Sequence, residues 1–258
     1  SKGKNEITIR NLLLHNSGLP SFKPFYKTLS NANQVLNDIY NSELEYKIGT
    51  KTVYSDLGML ALGKIIEKVS GKSLDKFCRD EIFLPLNMNS TFFKPADSLK
   101  NKIAPTEFDN YWRNRLLQGE VHDEAASILN GVAGHAGLFS NAMDIAKVLQ
   151  MLLQNGFYNN KQFFKSETIN LFTTRQNAQS TRGLGWDTKS ETNSSAGNLF
   201  SKNSFGHTGF TGTSVWVDPE RKLFVVLLTN RVHPTRENTK IIKFRPKLHD
   251  AIIEALEK

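Results

Sequence analysis

Two apolar runs in the last third of the chain, TSVWVD and LFVVLLTN, restrict the fold more than any other feature of the sequence. Both runs are rich in β-branched or aromatic residues, and the turn signal PERK separates them, which predicts an antiparallel β-hairpin. The second run is apolar almost without a break, which is typical of a strand buried on both faces. The segment PKLHDAIIEALEK then predicts an amphipathic helix that covers the sheet.

The earlier part of the chain favours helices. The segment ITIRNLLLHNSGLP predicts a short, capped helix in which Leu12, Leu13 and Leu14 are buried. From Ser55 onward, apolar residues recur with a period of about 3.6 residues, and this predicts a helix. Gly71 lies where the helix end favours a residue with positive φ, so we expect the helix to end there.

Two further helices are predicted, one over residues 73–84, just before a proline, and one over residues 142–156. Together with the hairpin they predict an α+β fold. We expect a single domain over residues 1–258, with a mainly helical lobe at 1–175 and the sheet hairpin with its C-terminal helix at 176–258.

Composition excludes several classes of protein. The 258 residues are 39% hydrophobic, which is enough for a large core. The net charge is +8, but the basic residues are scattered through segments such as GKIIEKVSGKSLDKFCRDE, so a nucleic-acid partner is not predicted. No run approaches the roughly 18 apolar residues of a membrane span, and SKGKNEITIR lacks the apolar core of a signal peptide.

The cysteine and histidine content predicts neither a metal site nor a cofactor. The one cysteine, Cys78, lies at helical spacing from Leu74 and Ile82, which favours a buried small hydrophobe over a nucleophile. The six histidines are dispersed and form no HExxH or comparable ligand pair.

Three segments carry a resemblance that covers nearly the whole chain. They are TIRNLLLHNSGLP, then VYSDLGMLALGKIIEKVSGKSLDKF with GVAGHAGLFSNAMDIAKVL, and finally FGHTGFTGTSVWVDPERKLFVVLLTN. In this order they resemble the serine β-lactamase-like, penicillin-recognising superfamily, in its class C-like branch of DD-peptidases, D-aminopeptidases and esterases. The segments GEVHDEAASILNGVAGHAGLFS and TNRVHPTREN also resemble the β-lactamase-like domain attached to some bacterial family 3 glycoside hydrolases.

The resemblance implies a β-lactamase/transpeptidase-like fold, in which a helical lobe joins an antiparallel sheet flanked by helices. It also implies three cleft motifs: SxxK, YxN or a variant, and KTG or HTG on a sheet-edge strand. Tyr54-Ser55-Asp56 matches the second motif with Asp in place of Asn. By resemblance Tyr54 is a general base and Asp56 a substrate contact. The residues alone favour a different interpretation of Tyr54, a buried ring whose hydroxyl caps a helix start, and they also allow Ser55 or Asp56 to be no more than a helix cap.

His207-Thr208-Gly209 matches the third motif in its histidine form. Here an imidazole that titrates near pH 6.5 replaces the permanent charge of a lysine, so we expect a weaker pull on an anionic substrate at neutral pH. The resemblance assigns His207 a catalytic role, Thr208 a polar contact with substrate, and Gly209 a close backbone approach. The amide of Phe210 stands where an oxyanion donor is expected.

Two more histidines, His122 and His135, belong to a region that the family places near the cleft rim. Either residue is a candidate substrate contact. The alternative is a histidine whose ring is satisfied by nearby backbone in a Gly-rich loop.

The first motif has no good match. Ser1-Lys2-Gly3-Lys4 has a glycine inside it and no apolar helix after it, and Ser73-Leu74-Asp75-Lys76 follows Tyr54 on a polar helix face, where Ser73 is better explained as an N-cap. We therefore expect a fold that is incomplete at the N-terminus, and a chain that is the C-terminal portion of a larger protein and inactive alone.

Two functions follow from this pattern. The first is a serine hydrolase that cleaves an amide, lactam or ester through an acyl-enzyme, with its nucleophilic serine outside this chain. The second is a non-catalytic binding or accessory module of the same fold. Expected partners are a small-molecule or peptidoglycan-like peptide substrate, and either the missing N-terminal segment or a fused glycoside hydrolase domain. By resemblance the protein works in the cell envelope or periplasm.

Overall fold

Helices and short strands alternate along residues 3–258, the part of the chain that this computed structural model describes. The helices are α1 (Ile9–Leu13), α2 (Ala32–Asn41), α3 (Asp56–Ser70), α4 (Leu74–Cys78), α5 (Glu124–Ile128), α6 (Ala142–Leu153), α7 (Ser166–Thr173) and α8 (Ile241–Leu256). The strands are β1 (Phe92–Phe93), β2 (Phe108–Asp109), β3 (Arg115–Leu116), β4 (Leu138–Phe139), β5 (Phe157–Tyr158), β6 (Lys161–Gln162), β7 (Asp187–Thr188), β8 (Phe205–Thr208), β9 (Ser214–Asp218) and β10 (Leu223–Leu227).

The chain divides into two compact units, one that ends at Ser140 and one over Asn141–Lys258. This division precedes the change in composition near residue 175, because α6 packs on β10 and belongs with the sheet. The two units are described separately below.

Helix α3 is the centre of the first unit. Leu57 and Leu60 on this helix are buried in a core that also contains Leu12 from α1 and Val35 from α2. Local signals fix both of its ends: the Ser55 hydroxyl accepts the Gly58 N–H at 3.1 Å, and Gly71 takes φ 68° after the last turn. The predicted helix after Ser55 is confirmed.

The other helices of the first two thirds also form, with differences in detail. Helix α1 is capped by Thr8, but Leu13 is only half-buried, so its predicted full burial is wrong. Helix α4 continues as a π-helical turn over Arg79–Phe83, which completes the helix predicted before Pro85. Helix α6 ends at Leu153.

The second unit is built on a four-stranded sheet with the strand order β10-β9-β8-β7. The predicted hairpin is confirmed, since Leu223 pairs with Asp218 and Leu227 with Ser214 in an antiparallel register. The prediction that β10 is buried on both faces is wrong, because every residue of that strand is only half-buried. Trp216 of β9 and Ile253 of α8 are buried together in the core of this unit.

Helix α8 begins at Ile241, so Pro246 lies inside it and not at its start. A proline in a helix removes one backbone hydrogen bond. The residue before it, Arg245, is buried and its side chain bonds to carbonyl groups outside the helix. Among the described helices none is both long and apolar enough to cross a bilayer.

Candidate functional site

Tyr54 lies at the point where the chain turns into α3. Its ring is 36% exposed and stacks at a tilt on the ring of His15, with 4.4 Å between the ring centroids. The next residue, Ser55, is buried and donates from its hydroxyl to the Pro20 carbonyl at 2.6 Å. Tyr54 is therefore held at the surface by the helix cap that follows it and by a stacked ring, and is not the buried core residue of the alternative interpretation.

His15 is a part of this site that the sequence analysis missed. Its side chain accepts the Ser55 N–H at Nδ1, 3.2 Å away, and its carbonyl accepts the Val53 N–H at 2.8 Å. A backbone φ of 54°, uncommon for a residue with a side chain, turns the His15 ring toward Tyr54. In the sequence His15 belongs to the segment ITIRNLLLHNSGLP, from which only a short, capped helix was predicted.

Asp56, Asp123 and His135 form a cluster of titratable groups at the start of α3. The His135 Nε2 atom donates to the Asp123 carboxylate at 2.8 Å, and that carboxylate also accepts the Ala126 N–H at the start of α5. One ligand atom from each member of the cluster lies within 4.8 Å of the others. The structure thus brings two of the predicted residues, Asp56 and His135, together with one that was not predicted, Asp123.

Glycines bring the loop that carries His135 onto α3. A Cβ atom on Gly134 would lie 2.1 Å from the Met59 carbonyl oxygen, and one on Gly63 would lie 3.2 Å from the Gly134 nitrogen. Only glycine allows the loop and helix backbones to approach this closely. Close packing on α3 therefore accounts for the Gly-rich sequence GVAGHAG, and it places the His135 side chain beside Asp56.

The three groups of the cluster change each other's pKa. Burial, helped by the negative charges of Asp123 and Glu124, raises the pKa of Asp56 from 3.8 to about 6 although His135 opposes it. Burial lowers the pKa of His135, but the Asp123 hydrogen bond and the two aspartate charges outweigh it and raise that pKa overall. Burial acts to raise the pKa of Asp123, yet the hydrogen bond and charge of His135 outweigh it and hold that pKa below its usual value.

These three side chains have the donor types that bind a divalent metal ion, although no metal site was predicted from the sequence. The His135 Nε2 proton already occupies the space between His135 and Asp123. A metal ion that used this nitrogen would first have to displace that proton.

The raised pKa of Asp56 predicts how stability depends on pH. Its ionisation opposes folding, so the contribution of this carboxyl is fully present below about pH 4 and is lost as the pH rises through about 6. Asp56→Asn removes the ionisation, and we expect the variant to gain about 2 kcal/mol relative to the native chain between pH 4.5 and pH 8. Urea unfolding at a series of pH values measures this gain.

The matched control for this measurement is Asp97→Asn, which changes an exposed aspartate outside the cluster. Its stability should follow that of the native chain at every pH. If the difference in unfolding free energy between Asp56→Asn and the native chain is the same at every pH from 4.5 to 8, the Asp56 carboxyl does not titrate in this range.

His122 is separate from the cluster. It is buried, and its Nε2 atom lies 2.9 Å from a carboxylate oxygen of Glu107, which is itself buried. This contact gives the buried His122 ring a polar partner, and its expected role at a cleft rim stays a prediction. Ser73 stands at the N-cap position of α4 as predicted, but its side chain makes no capping hydrogen bond.

His207 occupies the end of β8 in the second unit. It pairs with Val215 of β9, whereas β7 pairs only with Phe205 and Gly206, so the His207 end of β8 lies beyond the short outer strand. The expectation of an edge strand is therefore right for His207 and Thr208 and wrong for the first half of β8.

The hydrogen bonds of His207 define its tautomer. The Nδ1 atom lies 3.0 Å from the Thr208 carbonyl oxygen, which only accepts, so Nδ1 carries a proton. The Nε2 atom is 3.4 Å from Nη1 of Arg182, which donates to it. Burial, and then the charge of Arg182, lower the pKa of His207, so the imidazole is neutral at pH 7 and the permanent positive charge here belongs to Arg182.

After Thr208 the chain forms a tight loop over residues 209–213. A Cβ atom on Gly209 would meet the Thr213 hydroxyl at 2.2 Å, which explains the requirement for glycine. The Phe210 ring is 60% exposed, with the Arg231 guanidinium 4.2 Å from its centroid. The structure thus brings His207, Thr208, Gly209 and Phe210 into one continuous surface of the second unit.

Cys78, in contrast, is unsuited to nucleophilic chemistry. Burial, followed by the charge of Asp75, raises the pKa of the thiol to about 11. A thiol with this pKa remains protonated at neutral pH, and it is the thiolate that reacts.

Comparison with known proteins agrees with this fold. A family model described as Beta-lactamase matches residues 1–246. The chain is 38% identical over 257 residues to a protein of Escherichia coli K12 named putative D-alanyl-D-alanine carboxypeptidase, covering 90% of this chain and 58% of that protein. It is also 38% identical over 255 residues to a protein of Bacillus subtilis 168 named N-acetylmuramyl-L-alanine amidase, with the same coverage.

Solved structures show the same fold at lower identity. A penicillin-binding protein homologue from Caulobacter crescentus superposes with a TM-score of 0.67 at 19% identity, covering 89% of this chain and 67% of that one. A beta-lactamase from Mycobacterium bovis gives a TM-score of 0.65 at 21% identity, covering 96% and 74%.

The fold and the motifs define an α+β domain of the β-lactamase and penicillin-binding-protein type. The chain belongs to the beta-lactamase family, a family of hydrolases in which its curated relatives carry carboxypeptidase and amidase names. It spans 58% of the length of those two relatives.

Proposed function

We propose that this chain is part of a serine hydrolase that cleaves an amide, lactam or ester through an acyl-enzyme. In the first unit Tyr54 acts as general base for the attacking serine, and in the second unit His207 with residues 208–210 contacts the substrate. The observation that carries the proposal is the setting of Tyr54, whose ring is partly exposed, stacked on His15 and anchored by the buried cap of α3.

The charge beside His207 supports a substrate that bears a carboxylate. The neutral imidazole does not attract an anion, but the Arg182 guanidinium next to it is permanently charged and forms paired hydrogen bonds with carboxylates. We therefore propose a peptide that ends in a free carboxylate, as in a peptidoglycan-like peptide. The carboxypeptidase name of the Escherichia coli relative supports this class of substrate.

The proposal also places the nucleophilic serine outside the 258 residues. Ser73 and Lys76 have the SxxK spacing, but both are exposed on a short helix, and the Ser73 side chain forms a hydrogen bond with Asp75. The literal match at the start of the chain includes Ser1 and Lys2, which lie outside the described residues. A peptidoglycan-like substrate also supports the cell envelope as the place of action.

Covalent labelling tests this function. The full-length natural protein and the 258-residue chain are each incubated with a penicillin-type probe and with a fluorophosphonate, and adducts are located by mass spectrometry. We expect one adduct, on a serine outside the 258 residues, and no adduct on the chain alone. An adduct on Ser73 would show that the nucleophile has been placed wrongly.

The same experiment distinguishes the second candidate, a non-catalytic module that binds the peptide or supports a fused glycoside hydrolase domain. The unsuitable setting of Ser73 favours this candidate if no other serine supplies the nucleophile. A full-length protein that binds a D-amino peptide but is labelled by neither probe would be such a module.

A further inference from the structure

The loop over residues 209–213 has every one of its backbone carbonyl groups occupied by a donor. Two come from within the loop, where the Gly212 N–H donates to Gly209 at 3.1 Å and the Gly209 N–H donates to Thr213 at 2.7 Å. The other donors are Arg245, Arg231 and Thr229. Arg245 Nη2 donates to the Gly209 carbonyl at 3.1 Å and to the Thr213 carbonyl at 2.8 Å. Arg231 donates from Nε to the Phe210 carbonyl at 2.7 Å and from its backbone N–H to the Thr211 carbonyl at 2.8 Å, and the Thr229 hydroxyl donates to the Gly212 carbonyl at 2.6 Å.

Arg245 stands out among these donors because one nitrogen atom holds both ends of the loop. Its side chain extends from α8, is only 6% exposed, and bonds to Gly209 and Thr213 through Nη2. Its Nε atom is buried without a hydrogen-bond partner among the described residues. Burial takes the guanidinium out of water, and its bonds to the two loop carbonyl groups are the contacts that compensate for the lost hydration.

The directions of the carbonyl and N–H groups in this loop determine how well it stabilises an oxyanion. A negative charge that develops beside this loop is stabilised by N–H groups and repelled by carbonyl oxygens. Arg245, Arg231 and Thr229 engage the carbonyl oxygens of the loop in hydrogen bonds. Fixing the carbonyl groups also fixes the peptide planes, and with them the directions of the N–H groups.

We propose that Arg245 is a positioning residue, which fixes the loop 209–213 so that the backbone N–H of Phe210 points at the developing oxyanion. The inference rests on the proposed function, because it takes Phe210 to be an oxyanion donor. It adds a residue from the C-terminal helix that touches neither the substrate nor the reacting atoms.

The first test measures the loop in the 258-residue chain and needs no activity. Arg245→Met removes the donors, and Arg245→Lys keeps a positive charge with a single nitrogen. Hydrogen–deuterium exchange at the Gly209 and Gly212 amides, which donate inside the loop, should be about tenfold faster in Arg245→Met and intermediate in Arg245→Lys. Lys243→Met, an exposed change on the same helix, should leave this exchange unchanged.

A second pair of variants covers the case in which Arg245→Met does not fold. Thr229→Val removes the hydroxyl that holds the Gly212 carbonyl, and Thr229→Ser retains it. We expect faster loop exchange in the valine variant and normal exchange in the serine variant. Unchanged loop exchange in Arg245→Met would overturn the inference, and so would unchanged exchange in Arg245→Lys together with equal exchange in the two Thr229 variants.

The second test uses the full-length natural protein and a p-nitrophenyl ester. Arg245→Met should lower kcat about tenfold with less than a twofold change in KM, because the oxyanion forms only in the transition state. Loosened exchange with an unchanged kcat would show that the loop is braced but does not orient an oxyanion donor. A native full-length protein without esterase activity would count against the proposed function, whereas the exchange result would still decide whether Arg245 fixes the loop.

Discussion

Tyr54→Phe is expected to lower the acylation rate of the full-length natural protein by about 10²–10⁴-fold, the range contributed by a positioned general base. The change removes one oxygen atom and keeps the ring that stacks on His15. The fold should therefore be unaffected, and the loss should appear in the chemical step. Stopped-flow acylation by a chromogenic β-lactam or ester measures the rate, and the urea midpoint measures stability.

The matched control is Tyr40→Phe, the same chemical change at a tyrosine that is 59% exposed on α2. Its acylation rate should equal that of the native protein. If Tyr54→Phe acylates within threefold of the native rate, Tyr54 is not the base, and its stacking on His15 has a structural role only.

Sequence reasoning was most successful where one short segment contains all the information needed. The N-cap at Ser55 and the left-handed Gly71 are local signals, and α3 lies between them as predicted. The hairpin register likewise follows from two adjacent runs and the turn between them. Local patterns say less about what covers an element, which is why β10 was expected to be buried on both faces.

The start of α8 shows how a strong local rule fails. Pro246 was taken as the first residue of the helix, since proline suits a first turn and disrupts an interior. The helix nevertheless begins at Ile241 and passes through Pro246. The contacts of Arg245 with the loop 209–213 stabilise this geometry, and they join residues 32 and 36 positions apart.

The candidate site residues also fall into those that a local pattern predicts and those that it does not. Tyr54, Asp56 and His207 were found because each belongs to a short motif. The supporting residues were not, since each acts on a partner far away in the sequence: His15 is 40 residues from Ser55, and Arg182 is 25 from His207. No periodicity or spacing links such pairs before the chain has folded.

Gly206 lies next to His207 in β8, and its close packing against β9 can be tested by adding a side chain. A Cβ atom at this position would lie 2.2 Å from the Val215 carbonyl oxygen and 2.6 Å from the Trp216 ring, which is 1% exposed and has no space to move. Gly206→Ala should therefore force β8 away from β9 and destabilise the chain by about 3 kcal/mol, at the upper end of overpacking effects. The urea unfolding midpoint measures the loss.

Gly58→Ala is the control for this prediction, since it adds the same methyl group to a buried glycine. In α3 the new Cβ atom would meet Leu12 at 3.6 Å and Ser55 at 3.7 Å, which are ordinary contacts, and alanine favours a helix over glycine by about 1 kcal/mol. The two Gly→Ala changes should thus act in opposite directions. A Gly206→Ala variant as stable as the native chain would mean that β8 and β9 are not packed as closely as the Gly206–Trp216 pairing requires, and the position of His207 beside Arg182 would lose its structural basis.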